Sequence, residues 1–184
     1  LAIGPIANEA GFPEGSINIV TGLGEKAGSS LIKHPDINHI SFTGSVEIGK
    51  KVQTEAAKNL IPVTLELGGK SPQIVFEDAN LEKALPFLIN AGIQNAGQTC
   101  SASSRILVSK KIYAELIDKM SNLYCKLKVA QAIDDKDLGP VISSRQREII
   151  TNYLKLSKDL ECISEGKFET NLPKKGYYVL PKLY

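Results

Sequence analysis

The sequence has few of the residues that mark nucleic-acid-binding or membrane-surface proteins. Its arginines are only Arg105, Arg145 and Arg147, and 22 basic residues against 20 acidic ones leave a formal net charge of +2. This balance gives no electrostatic reason to expect a nucleic acid or an anionic membrane as a partner. Scarce arginine also argues against guanidinium groups as the general means of binding phosphate.

Cysteine, histidine and long apolar runs are scarce as well. The three cysteines, Cys100, Cys125 and Cys162, form no CxxC pair, and there are only two histidines. This pattern argues against a disulfide framework and against a metal site. It indicates free thiols in a reducing compartment, and we expect the cytoplasm. No apolar run reaches the roughly 18 residues that a membrane-spanning helix needs, so we expect no membrane partner.

What the sequence does contain is typical of a folded protein. Its 184 residues are 42% hydrophobic and 23% charged, which predicts about one globular domain or a large part of a bigger protein. The chain begins at Leu1 within a helical pattern and stops at Tyr184 within a strand-like stretch. We therefore expect an interior segment of a longer protein.

Strand-like and helix-like runs alternate along the chain. Strands separated by helices of about ten residues predict parallel βαβ units and therefore an α/β fold. We place a boundary near Gly68 and expect residues 166–184 to form a hairpin with loops. The predicted strands cover residues 16–20, 39–42, 63–67, 73–76 and 105–108. The predicted helices cover residues 25–33, 46–58, 112–126 and 143–156, and one that starts at Asp78 or Asn80 and runs to about residue 95.

A strand, a tight turn and a helix follow one another over residues 40–49. The first amides of a helix have no partners within it, and the helix dipole adds partial positive charge, so a phosphate can bind there. Gly44 would let the backbone approach such a group closely, and Ser45 would add a hydroxyl or cap the helix. The pattern is neither GxGxxG nor a P-loop. On this motif alone, an ordinary capped crossover helix is the favoured interpretation.

Glu66 lies at the end of a predicted apolar strand, before two glycines. Burial among Val63, Leu65 and Leu67 would disfavour the charged carboxylate and make this side chain a better general base near neutral pH. A strand-end glutamate that reaches solvent or pairs with Lys70 explains the same residues, and taken alone it is the simpler interpretation.

Cys100 lies in a loop of small and polar residues between a helix and a strand. Such a thiol is accessible, and backbone amides around it can stabilise a thiolate or an oxyanion. Cys125 and Cys162 occupy a helix and an apolar run, and we interpret both as small hydrophobic residues. A single loop cysteine is more often inert than nucleophilic, and no histidine lies near Cys100 in the sequence to form a dyad.

Three motifs in this order resemble the aldehyde dehydrogenase superfamily: residues 42–49, residues 65–72, and Gly97-Gln98-Thr99-Cys100. Glu66 and Cys100 are 34 positions apart, which is also similar to the family pattern. The resemblance covers nearly the whole chain and implies two parts. Residues 1–67 would be the end of a Rossmann-like cofactor-binding domain, and residues 68–184 the start of an α/β catalytic domain.

The resemblance implies NAD or NADP as cofactor and a small aldehyde as substrate. Cys100 would form a thiohemiacetal and then a thioester, and Glu66 would activate the water that releases the acid. A glutamate at this position favours hydrolysis over acyl transfer to coenzyme A. The parent protein is expected to be a homodimer or homotetramer. The cofactor-binding residues that the resemblance implies are Gly22, Gly44, Ser45, Val46, Glu47, Ile48, Gly49 and Leu67.

The chain also departs from the family pattern, which leaves two other hypotheses open. The strand that reads the adenosine ribose and an asparagine of the oxyanion hole would lie upstream of Leu1, so we expect the 184-residue segment alone to be inactive. One alternative is a cysteine acyl-transferase or hydrolase that forms a thioester without a nucleotide. The other is a non-catalytic nucleotide-binding fragment with an inert Cys100.

Overall fold

The chain divides into two compact units, Leu1–Leu67 and Gly68–Tyr184. The structure, a computed structural model, describes residues 1–184. Each unit has its own hydrophobic core. Whether the first unit is a cofactor-binding domain and the second a catalytic domain stays a prediction.

In the first unit, a helix crosses between two parallel strands. Strands β1 and β2 pair in parallel along their whole length, with Ile40 opposite Val63 and Gly44 opposite Leu67. The predicted helix over residues 25–33 is present as a π-helical turn, Gly24–Gly28, that continues into a short α-helix. The elements are α1 (Ile3–Glu9), α2 (Ser29–Ile32), β1 (Ile40–Gly44), α3 (Val46–Lys58) and β2 (Val63–Leu67).

The core of the first unit lies between α3 and the two strands. Helix α3 buries one face, whose apolar members are Val52 and Ala56, and these pack with Ile40 and Ile61. Apolar residues three or four positions apart share a helix face, so the sequence pattern of α3 indicates which of its faces makes this contact.

The predicted strand at residues 16–20 is wrong. These residues form no strand, and Ile17 and Ile19 are exposed. A short apolar run becomes a strand only where a neighbouring strand pairs with its backbone amides and carbonyls, and no strand of the first unit lies beside this one.

The second unit contains another parallel βαβ unit, followed by two helices of 12 and 13 residues and four short strands. Strands β3 and β4 pair in parallel, with Ile74 opposite Leu107. Asn80, rather than Asp78, caps the connecting helix, because its side chain accepts a hydrogen bond of 3.1 Å from the Lys83 amide. The elements are β3 (Pro72–Val75), α4 (Leu81–Ile93), β4 (Arg105–Val108), α5 (Tyr113–Tyr124), β5 (Lys128–Val129), α6 (Ser144–Leu156), β6 (Ser164–Glu165), β7 (Lys167–Phe168) and β8 (Lys182–Leu183).

The core of the second unit lies between α4, α5 and the β3–β4 pair. Leu116 and Met120 of α5 are almost fully buried. They belong to one cluster with Leu85 and Ile89 of α4 and Val75 of β3. The loop between α4 and β4 therefore begins and ends at elements that are packed into this core.

The C-terminal segment does not form the predicted hairpin. Strand β7 pairs in parallel with β5, and β8 pairs antiparallel with β6. The partners of β7 and β8 therefore both lie before residue 166. The turn residues in this segment indicate chain reversal but do not specify the partner strand.

The two parallel βαβ units confirm the predicted α/β fold class. None of the helices combines enough length and hydrophobicity to cross a lipid bilayer.

Candidate functional site

The turn between β1 and α3 has the geometry of a capped helix start. The Ser45 side chain accepts a hydrogen bond of 3.3 Å from the Ile48 amide, and its carbonyl accepts one of 2.9 Å from Gly49. The amides of Val46 and Glu47 have no partner within the helix. They lie on an exposed surface at the positive end of a 13-residue helix, which is a favourable place for an anion.

Parallel pairing brings several of the predicted cofactor-binding residues together. Leu67 lies opposite Gly44 in the register, and Glu66 lies opposite Thr43. A Cβ atom at Gly49 would be 2.7 Å from Leu67 Cδ2. The start of α3 and the end of β2 therefore form one surface of the first unit.

Two of the predicted glycines have no room for a side chain. A Cβ atom at Gly44 would lie 2.6 Å from Phe42 Cζ, and one at Gly22 would lie 2.9 Å from Ala27 Cβ. Any larger residue would have to displace these neighbours.

A cavity of about 310 Å³ lies beside this turn in the first unit. Its apolar walls come from Ile32, Phe42, Ile48 and Val52, and Gly28 contributes backbone. A flat aromatic group suits such a mostly apolar cleft. Glu47 lies outside the cavity lining, and its carboxylate is 3.5 Å from Lys51 Nζ.

Glu66 is exposed, as expected for a strand-end glutamate that reaches solvent and not for a buried carboxylate. Strand β2 alternates, with Leu65 and Leu67 half-buried and Thr64 and Glu66 exposed. Its period of two therefore puts the carboxylate on the solvent face. The Glu66 carboxylate has no hydrogen-bond or ion-pair partner among residues 1–67. The predicted pairing partner Lys70 instead donates to the Gly69 carbonyl at 3.1 Å.

Cys100 is exposed at the second position of a tight turn. The Ala102 amide donates to the Thr99 carbonyl at 3.1 Å and closes this turn. Neither the amide nor the Sγ atom of Cys100 donates a hydrogen bond within residues 68–184. The thiol is therefore accessible, and an amide donor next to it is free.

The loop that carries Cys100 is fixed at both ends. The Ser103 amide donates to the Ala91 carbonyl at 2.9 Å, and the Gln73 side chain donates to the Ser103 carbonyl at 3.4 Å. On the other side of Cys100, the Gln98 side chain forms two hydrogen bonds to backbone groups. Sequence reasoning assigned no role to Gln73 or Gln98. A polar residue within the apolar strand β3 was the available signal for Gln73.

The other two cysteines differ from Cys100 and from each other. Cys125 is half-buried, and its Sγ is 3.5 Å from the Asn122 carbonyl. Cys162 is exposed, so it does not pack as the small hydrophobic residue that its apolar run suggested. Its segment, residues 160–162, follows the last helical turn and forms no strand. No three His, Cys, Asp or Glu side chains are grouped to hold a metal ion.

Comparisons with known proteins agree with one another. The model of the aldehyde dehydrogenase family matches residues 1–184. The chain is 41% identical to aminoaldehyde dehydrogenase 1, peroxisomal, of Pisum sativum and to betaine aldehyde dehydrogenase, chloroplastic, of Atriplex hortensis. Each match covers 100% of this chain and 37% of the relative.

The fold is also similar to a solved structure. The crystal structure of betaine aldehyde dehydrogenase from Staphylococcus aureus in complex with NAD+ has a TM-score of 0.88 and 36% identity. The match covers 98% of this chain and 37% of that one. The chain thus spans little more than a third of the length of these relatives.

Proposed function

The chain belongs to the aldehyde dehydrogenase family, and from this we propose that it carries the nucleophile, the general base and part of the cofactor site of an NAD+- or NADP+-dependent aldehyde dehydrogenase. The accessible Cys100 in its tight turn, with a free amide beside the thiol, is the observation that supports this proposal most directly. The protein would oxidise a small aldehyde to a carboxylic acid.

The surface at the start of α3 in the first unit would be suited to binding a dinucleotide. The free amides of Val46 and Glu47, together with Ser45, would hold the pyrophosphate at the start of α3. Gly44 and Gly49 leave room for the side chains of Phe42 and Leu67. Ile48 would pack beside the adenine in the 310 Å³ cavity. Gly22 and Leu67 would support the same surface through their contacts with Ala27 and Gly49. When bound, the cofactor supplies a hydride acceptor.

Cys100 would carry the covalent chemistry. Its thiolate attacks the carbonyl carbon, a C–S bond forms, and the carbonyl π electrons move onto oxygen to give a thiohemiacetal oxyanion. The Cys100 amide would donate a hydrogen bond to this oxyanion, where negative charge develops. Loss of the hydride from carbon, for which the bound cofactor would be the acceptor, would re-form the carbonyl and leave Cys100 as a thioester.

Glu66 would complete the reaction as general base. Its carboxylate takes a proton from water as the water oxygen attacks the thioester carbon, and the C–S bond breaks to release the acid and the Cys100 thiolate. The exposure of Glu66 in the first unit leaves it accessible to water. That Glu66 and Cys100 serve one reaction centre stays a prediction carried by the family resemblance.

Substrate, location and assembly stay at the level of the family. Relatives named for betaine aldehyde and for aminoaldehydes favour a small aldehyde that carries an amine or an ammonium group. Those relatives include a peroxisomal and a chloroplastic enzyme, so the cytoplasm stays a prediction for this protein. A homodimer or homotetramer is likewise a prediction.

We expect Cys100→Ala in the full-length gene product to abolish both NAD(P)+-dependent aldehyde oxidation and nucleotide-independent ester hydrolysis, since both need the same nucleophile. Steady-state assays of NADH or NADPH formation and of nitrophenyl ester hydrolysis measure the two activities. Cys162→Ala removes the other exposed thiol and should keep both.

Two outcomes would count against the assignment. Substantial NAD(P)+-dependent turnover by Cys100→Ala would remove Cys100 from the mechanism. The second outcome is ester hydrolysis that requires Cys100 in a protein that binds neither NAD+ nor NADP+ in a calorimetric titration. This result would favour the nucleotide-independent cysteine hydrolase.

A further inference from the structure

The segment between α4 and the Cys100 turn has an unusual backbone. Asn95, Ala96 and Gly97 follow one another with φ angles of 52°, 55° and 75°. This left-handed region is unfavourable for residues with a Cβ atom, and Ala96 gains nothing local from it. A Cβ atom at Gly97 would lie 3.4 Å from the Gly92 carbonyl oxygen. Such a segment keeps its shape only if other contacts hold it.

Gln98 supplies contacts of this kind. Its side-chain Nε2 donates to the Asn95 carbonyl at 3.0 Å, and its backbone amide donates to the same carbonyl at 3.1 Å. Its Oε1 accepts a hydrogen bond of 2.9 Å from the Ile142 amide, 44 residues further along the chain. Both ends of the side-chain amide therefore hold backbone, one inside the left-handed segment and one outside it.

The segment that contains Ile142 is itself well fixed. The Leu138 amide donates to the Lys128 carbonyl at 3.1 Å, and the Ala130 amide donates to the Leu138 carbonyl at 2.9 Å. Val141 is 4% exposed, and its amide donates to the Tyr177 carbonyl at 2.9 Å. Gln98 therefore ties a strained loop to a segment that is held by β5 and by the core.

We propose that Gln98 is a positioning residue for Cys100, and this inference rests on the proposed function. By joining the Asn95 carbonyl to the Ile142 amide, Gln98 would hold the left-handed segment and so fix where the Thr99–Ala102 turn presents the thiol and the Cys100 amide. Gln98 lies two residues before the nucleophile, and its side-chain amide holds the Asn95 carbonyl at one end and the Ile142 amide at the other. Its loss should therefore affect the chemical step more than aldehyde binding.

The test uses three variants of the full-length gene product. Gln98→Met keeps the length of the side chain and removes both hydrogen bonds. Gln98→Glu keeps an acceptor for the Ile142 amide and loses the donor to the Asn95 carbonyl. Gln53→Met is the matched control, because Gln53 lies on the exposed side of α3 and its side chain has no hydrogen bond.

Two measurements separate positioning from general stability. One is kcat and KM for aldehyde oxidation. The other is the rate of iodoacetamide alkylation of Cys100 as a function of pH, read by peptide mass spectrometry with Cys125 and Cys162 as internal references. A loss of folded protein would expose the half-buried Cys125 and raise its alkylation rate, whereas a displaced turn would change Cys100 alone.

We expect Gln98→Met to lower kcat by about tenfold to a hundredfold, the order of effect that a displacement of ~1 Å has on a reacting group. KM should change by less than about threefold, because binding of the ground state is not altered. The alkylation rate of Cys100 should change while those of Cys125 and Cys162 do not. Gln98→Glu should give an intermediate kcat, and Gln53→Met should behave as the wild type.

The inference is wrong if Gln98→Met has the same kcat and the same Cys100 alkylation rate as the control Gln53→Met. This conclusion requires that Cys100→Ala is inactive in the same assay. It is equally wrong if the three cysteines change together, or if KM rises and kcat does not fall. Turnover by Cys100→Ala would instead refute the proposed function, and the role of Gln98 would fall with it.

Discussion

At the scale of single residues, the surroundings of a side chain separate residues of one type. Cys100 is exposed in a tight turn, and Cys125 is half-buried at the end of α5. Cys162 is also exposed, so accessibility alone does not distinguish it from Cys100. What distinguishes Cys100 is its position in the Gly97–Cys100 motif, on a loop that hydrogen bonds hold on both sides.

Glu66 gives a second prediction at this scale. Glu66→Gln keeps the size of the side chain and removes its ability to take a proton from water. We expect thioester hydrolysis to slow by about 10² to 10⁴, the usual contribution of a general base. Rapid-mixing experiments should then show a burst of NADH or NADPH, because hydride transfer survives, followed by a slow steady state.

The control for this prediction is Glu14→Gln, which removes an exposed carboxylate elsewhere in the first unit and should leave the kinetics unchanged. A Glu66→Gln protein with the steady-state rate of the wild type would show that another group activates the water.

At the scale of elements, strand pairing determines which residues can act together. The β1–β2 register puts Leu67 beside Gly44, so two motifs 23 positions apart in the sequence share one sheet edge. In the second unit, β5 and β7 pair over only two residues, and the Glu169 amide donates to the Val129 carbonyl at 3.0 Å just beyond them. The stability of such a short strand pair depends on contacts at its ends.

The ion pair of Lys128 and Glu169 should make this element sensitive to acid. Lys128 Nζ lies 2.8 Å from the Glu169 carboxylate. The hydrogen bond from Lys128, and then its charge, hold the pKa of Glu169 below its usual value. A lowered carboxyl pKa stabilises the fold above the ordinary glutamate range, and this contribution is lost as the pH falls through the lowered value.

We expect Glu169→Gln to lower the thermal midpoint slightly at pH 7 and to reduce the further loss of stability on acidification. Both partners are partly exposed, so the effect should be small and should decrease with salt. Thermal unfolding between pH 7 and pH 3 measures it. Glu161→Gln, which removes an exposed carboxylate without an ion pair, is the control. Identical pH profiles for the two variants would contradict this role of Glu169.

At the scale of the whole molecule, the two units should respond differently to the cofactor. The proposed pyrophosphate and adenine contacts all lie within residues 22–67, and a ligand stabilises the region that it binds. We expect NAD+ or NADP+ to slow amide hydrogen exchange most strongly over residues 24–52. Helix α6 should change little and serves as the internal reference. Protection that is confined to residues 68–184 would show that the nucleotide site lies elsewhere.

The sequence alone determined the features that depend on neighbours along the chain. Ser45 begins α3 because its short side chain accepts a free amide, and α3 follows from its apolar spacing. For α4 the sequence offered Asp78 or Asn80 as the cap, and the structure decided for Asn80. The three motifs were sufficient to identify the family, because a motif is a property of residue order. The α/β class followed from the alternation of strands and helices.

Only the tertiary structure decided features that need a distant partner. Residues 16–20 have strand-like composition but no neighbouring strand. Strands β7 and β8 pair with β5 and β6 instead of forming a hairpin with each other. The bond between Gln98 and Ile142 joins groups 44 positions apart. Pairing, burial and such bridges depend on which segments meet in space, and a local pattern of residues does not contain that information.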